Sequence, residues 1–284
     1  MNRVSAAFLS VFALSVFCTS GQCRESRNYQ FGAFPYLPVE RLDKIWSPVV
    51  NDLARTLNWK IQFRSRPGYA QFRDDVTNGV FDIVYLQPFA YVRAGAHNGY
   101  LPLVRFVSPG DKENSGMLRA IIVVLHDSPY RSAKDLKGKI IAMPPRDAAV
   151  SLLANAYLRD AGLRLNHDYR VNYHLNHTSC LRQLVLRRAQ ACVAGPPPYE
   201  RFKRTAAVKT RKLAQTREIP SSLLAVRKTL PLADREKLRQ YFLHLEGSAV
   251  GRKFLHEAGL RGFVVARDAD YDVVRKIWSN TKSR

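Results

Sequence analysis

The stretch "GVFDIVYLQPFAYVRAG", residues 79–95, decides the fold. Its apolar run from Val80 to Leu86 has the length of a buried strand, and it stops at the polar Gln87. Pro88 suits the first turn of a helix, because its missing N–H would have no intrahelical partner there anyway. A strand that passes into a helix at its C-terminal end is the repeating unit of an α/β fold with helices on the faces of a mostly parallel sheet.

Reading outward, the same unit recurs. "NYQFGAFPYLP" (28–38) reads as a strand ending in a loop, and the following segment places Leu42, Ile45, Trp46, Val49, Val50 and Leu53 at helical spacing. "KIQFRSR" (60–66) is a second strand, and "YAQFRDDVTNG" (69–79) a helix stopped by Gly79. "LPLVRFV" (101–107) adds another strand. After "SPGDKENSG" (108–116) a second unit begins: strands at "RAIIVVL", "DLKGKIIAM", "YRVNYHL" and "ACVAG", with helices at "AVSLLANAYLRDAG" and "SCLRQLVLRRA". The chain then returns through "PSSLLAVRKTLP" (220–231) to helices expected at 234–246, 248–258 and 269–280. Two α/β lobes joined by crossings near 110–120 and 217–226 are the economical arrangement: lobe 1 from 24–115 plus 220–284, lobe 2 from 116–219. Ligands of open parallel sheets bind beyond the C-terminal ends of the strands, so the cleft between lobes is the expected site.

At 284 residues, 46% of them hydrophobic, the chain can bury cores of this size. Its start reads as an export signal, residues 1–23: Arg3, an apolar stretch from Val4 to Phe17, then small and polar residues, with cleavage expected between Ser20 and Arg24. Lipid attachment at Cys18 or Cys23 is the weaker reading, since Phe17 and Gln22 are poor residues before a modified cysteine. No other window approaches the roughly 18 apolar residues of a membrane span, so a soluble periplasmic protein is expected.

Export makes Cys180 and Cys192 a candidate disulfide, because an oxidising compartment favours bridging. A metal site from His174, His177 and Cys180 is the rival, but no second Cys/His cluster has ligand spacing, and two buried free thiols are the plainest alternative. The formal charge is +22, and residues 182–217 carry ten Lys or Arg against the single acid Glu200. "RFKRTAAVKTRK" (201–212) is read as a solvated helix face. The sharper alternative is peripheral contact of the basic second lobe with an anionic surface, lipid or acidic protein. Nucleic acid is not an expected partner: the signal segment argues against it, and no basic groove interleaved with aromatics is present.

"FGAFPYLP" (31–38), Trp46-Ser47-Pro48, "GYAQF" (68–72), the opening stretch, "DSPYRSAKDLKGKIIAM" (127–143), "HTSCLRQ" (177–183), "IPSSLLAV" (219–226) and "HEAGLRGFVVARDADYDVVRKI" (256–277) together resemble the periplasmic phosphate/phosphonate-binding, PhnD-like family of solute-binding proteins. The resemblance spans nearly all of the exported chain. It implies a two-lobed type II periplasmic-binding fold and a small anion or zwitterion held in the cleft without chemistry.

By that resemblance Tyr69 is a ligand-reaching tyrosine, Gln87 and Pro88 form one wall, and His177 is the histidine of the second lobe. Tyr36, Ser179 and Ser221 complete the candidate set with Arg146. Tyr36 is open between packing and ligand contact, and His177 between ligand contact and N-cap of a helix starting at Thr178; Tyr91 is expected to turn inward. Three features depart from the family's phosphonate binders. "PPRDAAVS" (144–151) replaces their Ser/Thr/Gly-rich turn, with Asp147 read as an N-cap opposing an anion and Arg146 as restoring attraction. Leu118 stands where a cleft tyrosine is common. The acids that grip an amino group are missing, with only Ser221, Ser222 and Glu200 nearby.

No nucleophile elbow, phosphate loop or zinc helix is present, so no enzymatic activity, cofactor or metal is expected. Two binding roles remain. One is the capture component of an ABC-type importer, delivering solute to a permease; the other is a periplasmic sensor or adaptor for a membrane-bound kinase or cyclase.

Overall fold

The computed structural model describes residues 28–109, 111, 113 and 115–282; the expected signal segment lies outside them. The first sheet begins with β1 (Asn28–Ala33), followed by α1 (Val39–Leu57), β2 (Lys60–Ser65), α2 (Tyr69–Thr77) and β3 (Ile83–Leu86). The six apolar residues at helical spacing in α1 are its buried stripe, and the helix ends at Asn58 in the left-handed conformation. A short α3 (Pro88–Ala90) runs directly into a π-turn over Tyr91–Gly95. β4 (Tyr100–Val107) follows, then β5 (Met117–Leu118).

The second sheet contains β6 (Ile121–Leu125), β7 (Ile140–Met143), β8 (Arg170–Tyr173), β9 (Ala191–Ala194) and, later, β10 (Thr210–Gln215). Its helices are α4 (Ala149–Asp160), α5 (His177–Val185) and α6 (Pro196–Thr205). β11 (Ile219–Pro220) and β12 (Leu223–Arg227) lead the chain back to α7 (Leu232–Leu243), α8 (Ala249–Ala258), β13 (Gly262–Val265) and α9 (Asp272–Lys282).

Strand order is β13-β4-β12-β3-β1-β2 in one sheet and β10-β6-β9-β7-β8 in the other. β1 pairs parallel with β2 and β3, whereas β12 runs antiparallel between β3 and β4. In the second sheet β7 is parallel to β8 and β9, and β6 runs antiparallel to β9 and β10. Of the nine pairings within the two sheets four are parallel and five antiparallel, so the sheets are mixed rather than mostly parallel; with helices on both faces they make the two-lobed type II periplasmic-binding fold.

The two crossings between sheets pair with each other: β5 and β11 form a two-stranded ribbon, with Leu118 opposite Ile219 and Met117 opposite Pro220. Gly116 precedes it at φ +62°, and a Cβ there would come within 2.9 Å of Arg105 and Val264 side chains. Only glycine fits that turn without strain. One apolar cluster covers the outer face of the first sheet under α1, α7 and α8, and another lies under α5 and α6. The largest is continuous between the lobes, where Val274 and Ile277 of α9 meet Leu153 of α4 and Tyr91.

Several expectations are corrected. "RFKRTAAVKTRK" is not one helix face: α6 ends at Thr205 and the segment enters β10. The final stretch hides β13 between α8 and α9, an edge strand that "LRGFVVARD" did not announce.

Candidate functional site

Apart from Ser221, the candidate cleft residues sit just past the C-terminal end of a sheet strand or in the helix that follows. β1 delivers Phe34, Pro35 and Tyr36; β2 leads to Tyr69 at the first position of α2; β3 ends at Gln87. From the other sheet, β7 leads to Arg146 and the start of α4, and β8 to His174 and His177. β9 leads to Gly195, where an added Cβ would lie 4.0 Å from the His177 ring.

Gln87 joins the two sides. It is only 7% exposed, its Nε2 donates to the Tyr69 hydroxyl at 2.8 Å, and its Oε1 accepts the Ala149 N–H at 3.0 Å. That N–H opens α4, so a side chain of the first lobe satisfies a free donor of the second. Asp147 is therefore not the N-cap. Ala148 holds that position without a side-chain bond, and Asp147 turns outward to pair with Arg93 Nη1 at 3.5 Å. Burial, then the Asp147 charge, push the Tyr69 hydroxyl up to about 12, against the lowering effect of the Gln87 bond. Pro88 is buried and starts α3.

Behind this pair stands an aromatic wall. Phe34 packs against Tyr36, Tyr85 and Tyr69 with ring centroids 5.1, 4.5 and 6.3 Å apart. The Tyr36 hydroxyl accepts a hydrogen bond from Trp46 Nε1 at 3.3 Å, so the ring is packed and its polar tip is held in place. Tyr85 was not foreseen, because its position in the middle of an apolar run reads as core. A cavity of about 60 Å³ adjoins the wall, lined by Tyr69, Phe72, Gln87, Phe89 and Asp147 among others, with room for a few atoms. Tyr91 turns inward as expected and donates to Asp268.

On the second lobe, His177 is the first residue of α5. Asn176 is its N-cap, accepting from Ser179 N at 2.9 Å, which corrects the reading of His177 as the cap. The Ser179 hydroxyl completes that box by accepting from Asn176 N at 3.2 Å and donating to Asn176 O at 2.9 Å. Burial lowers the His177 imidazole to about 4, so it is neutral at pH 7. Its Nδ1 and the His174 Nε2 are buried with no hydrogen-bond partner among the described residues. Arg146 is exposed and makes no side-chain bond or ion pair there, leaving its guanidinium available.

Ser221 lies at the ribbon rather than on the cleft wall. Its hydroxyl donates to Phe106 O at 2.5 Å, its N–H to Gly116 O at 2.9 Å, and its carbonyl accepts from the Tyr271 hydroxyl at 3.1 Å. The structure thus brings Tyr36, Tyr69 and Gln87 together and leaves Ser179 and Ser221 with hydroxyls already engaged. Cys180 and Cys192 are joined in a disulfide that ties α5 to β9. No cluster of three or more potential metal ligands occurs among the described residues.

A sequence profile of the family described as "ABC transporter, phosphonate, periplasmic substrate-binding protein" matches residues 31–271. The chain belongs to that family. It is 19% identical over 283 residues to the phosphonates-binding periplasmic protein of Escherichia coli, covering 96% of this chain and 82% of that one. Among solved structures it resembles PhnD1 from Prochlorococcus marinus in complex with methylphosphonate, with a TM-score of 0.74, 14% identity and coverage of 91% and 99%. A binding-protein component of an ABC phosphonate transporter from Pseudomonas aeruginosa gives a TM-score of 0.69 at 16% identity, covering 89% and 86%. The family consists of periplasmic substrate-binding components rather than enzymes. Among the described residues no helix is long and apolar enough to cross a membrane.

Proposed function

We propose that the protein captures a small phosphonate-like anion, or a zwitterion bearing such a group, between its lobes and delivers it to the permease of an ABC-type importer. The observation that carries this reading is the pair of buried, unpartnered imidazole nitrogens at His174 and His177. Buried polar groups are almost always satisfied, and these two follow the C-terminal end of β8, the end at which a ligand oxygen would complete them. Neutral His177 acts as a hydrogen-bond partner, Arg146 supplies the positive charge, and Tyr69 with Gln87 closes the opposite wall. A ligand oxygen that takes the Ala149 N–H from Gln87 exchanges one acceptor for another at the start of α4. The lobe boundaries belong to the same proposal: 24–115 plus 220–284 swing against 116–219 about the β5–β11 ribbon.

A thermal-shift screen against phosphate, phosphite, methylphosphonate, 2-aminoethylphosphonate, carboxylates and amino acids tests this. Ligand at about 100 times its Kd adds roughly 2.7 kcal/mol to the folded state, an easily read rise in melting temperature. A screen in which no small solute raises it overturns the solute-capture reading.

One observation favours the second reading, a sensor or adaptor for a membrane-bound kinase or cyclase. Gln87 already fills the α4 donor that a ligand would use, so lobe contact has support from the chain's own side chains. In-cell crosslinking separates the two roles: capture of a permease supports import, capture of a kinase or cyclase supports sensing.

A further inference from the structure

We propose that the outward face of α5 and α6 is a docking surface for an anionic phospholipid membrane. The two helices lie side by side over one face of the second sheet, burying Cys180, Leu181, Leu184 and Tyr199 beneath them. What they turn outward is cationic and partly aliphatic. Arg182 of α5, Arg201 and Arg204 of α6, and Arg188 and Lys209 in the segments that follow the two helices are all exposed, and none has an acidic partner among the described residues.

The two nearby acids are already engaged. Glu200 pairs with Lys203 at 3.6 Å and Lys212 at 3.9 Å, and Asp127 with Arg187 at 3.5 Å. Within this field Val185 and Leu186 are 38% and 54% exposed. Val185 at the end of α5 and Arg187 just past it line one depression with Asp127 and with Val208 and Lys209 from the loop after α6, so the two segments meet there.

Unpaired cations on long aliphatic stems around two exposed aliphatic side chains match a headgroup layer. The charges meet lipid phosphates while the stems and the Val185–Leu186 pair reach toward the acyl boundary. Cations at uneven spacing need no partner of fixed shape, which a fluid bilayer supplies. A folded acidic protein would have to present carboxylates at matching positions. The surface lies on the side of the second sheet opposite α4, and it draws on Arg182, Val185 and Leu186 rather than on the start of α5 that carries His177.

The test is co-sedimentation of the purified protein with phosphatidylcholine vesicles, with and without phosphatidylglycerol, at near-physiological salt. The protein is expected to sediment only with the anionic vesicles. Neutralising three patch cations (Arg188→Gln, Arg201→Gln, Arg204→Gln) is expected to weaken binding about a hundredfold, at roughly fivefold per charge. Leu186→Gln is expected to weaken it several-fold without changing the salt dependence. The matched control Arg41→Gln, Lys44→Gln, Lys60→Gln removes the same charge from exposed positions on the first lobe and leaves binding unchanged; melting curves verify that all variants fold. Equal losses in both triple variants assign the binding to diffuse net charge and overturn the proposal. So does failure of the unmodified protein to sediment, including the case where it instead binds polyglutamate through the same arginines, which assigns the face to an acidic protein.

Discussion

Gln87 and Ala149 come from different lobes and are 62 residues apart, yet the Gln87 Oε1 accepts the Ala149 N–H at 3.0 Å. The same amide donates to Tyr69. One side chain therefore connects the aromatic wall of the first lobe to the first turn of α4.

Replacing that amide with an isosteric apolar group exposes the cost of its bonds. Gln87→Leu strands the Ala149 donor and removes the Tyr69 partner, so the unfolding free energy is expected to fall by about 1–3 kcal/mol in urea denaturation. A change below about 0.5 kcal/mol would show that water replaces both bonds at no cost.

His177 makes stability depend on pH. Burial lowers its folded-state value from 6.5 to about 4, so the unfolded chain binds the extra proton in that interval. Its contribution is complete above pH 6.5 and is lost as pH falls toward 4, by up to about 3 kcal/mol. Denaturation series at pH 7, 5.5 and 4 are expected to show this slope, and His177→Gln to flatten it. An equal slope in the variant would place the titration elsewhere.

Ser221 separates a structural role from a ligand role. Ser221→Ala removes the hydroxyl that holds Phe106 O beside the ribbon, and about 1 kcal/mol of stability is expected to go with it. Affinity for any solute found in the thermal-shift screen is expected to stay within a factor of two or three. A larger loss, measured by calorimetry, would return Ser221 to the cleft.

The Cys180–Cys192 bridge closes a loop of sequence separation 12. Loop-closure entropy for that length predicts a loss of about 3 kcal/mol on reduction. Denaturation with and without a thiol reductant measures it, and Cys180→Ser/Cys192→Ser is expected to reproduce the reduced value.

The β-strand-to-helix units were legible because each is local: an apolar run, a polar stop, a helical stripe such as Leu42 to Leu53. The strand ends that build the cleft followed from the same pattern. What escaped reading was non-local. Asp147 has the chemistry of an N-cap, but its carboxylate is drawn outward by Arg93, a residue of the other lobe, and the free donor it would have served is met by Gln87. Ser221 looked available because its acceptor, Phe106 O, lies 115 positions away. β10 and β13 escaped because short edge strands carry charged or mixed side chains and lean on their neighbours for definition. Tyr85 was hidden by the apolar run around it, which masks a hydroxyl that only the three-dimensional wall brings beside Tyr36.

Arg93 pairs with Asp147 and also stacks over the Trp278 ring at 4.5 Å. The other two tryptophans, Trp46 and Trp59, are buried in the first-lobe core at 1% and 8% exposure. If the lobes swing as proposed, Trp278 is the indole whose charged surroundings change, because Arg93 would lose Asp147. That motion would then carry its own optical gauge, readable from the emission of Trp278 without any attached dye.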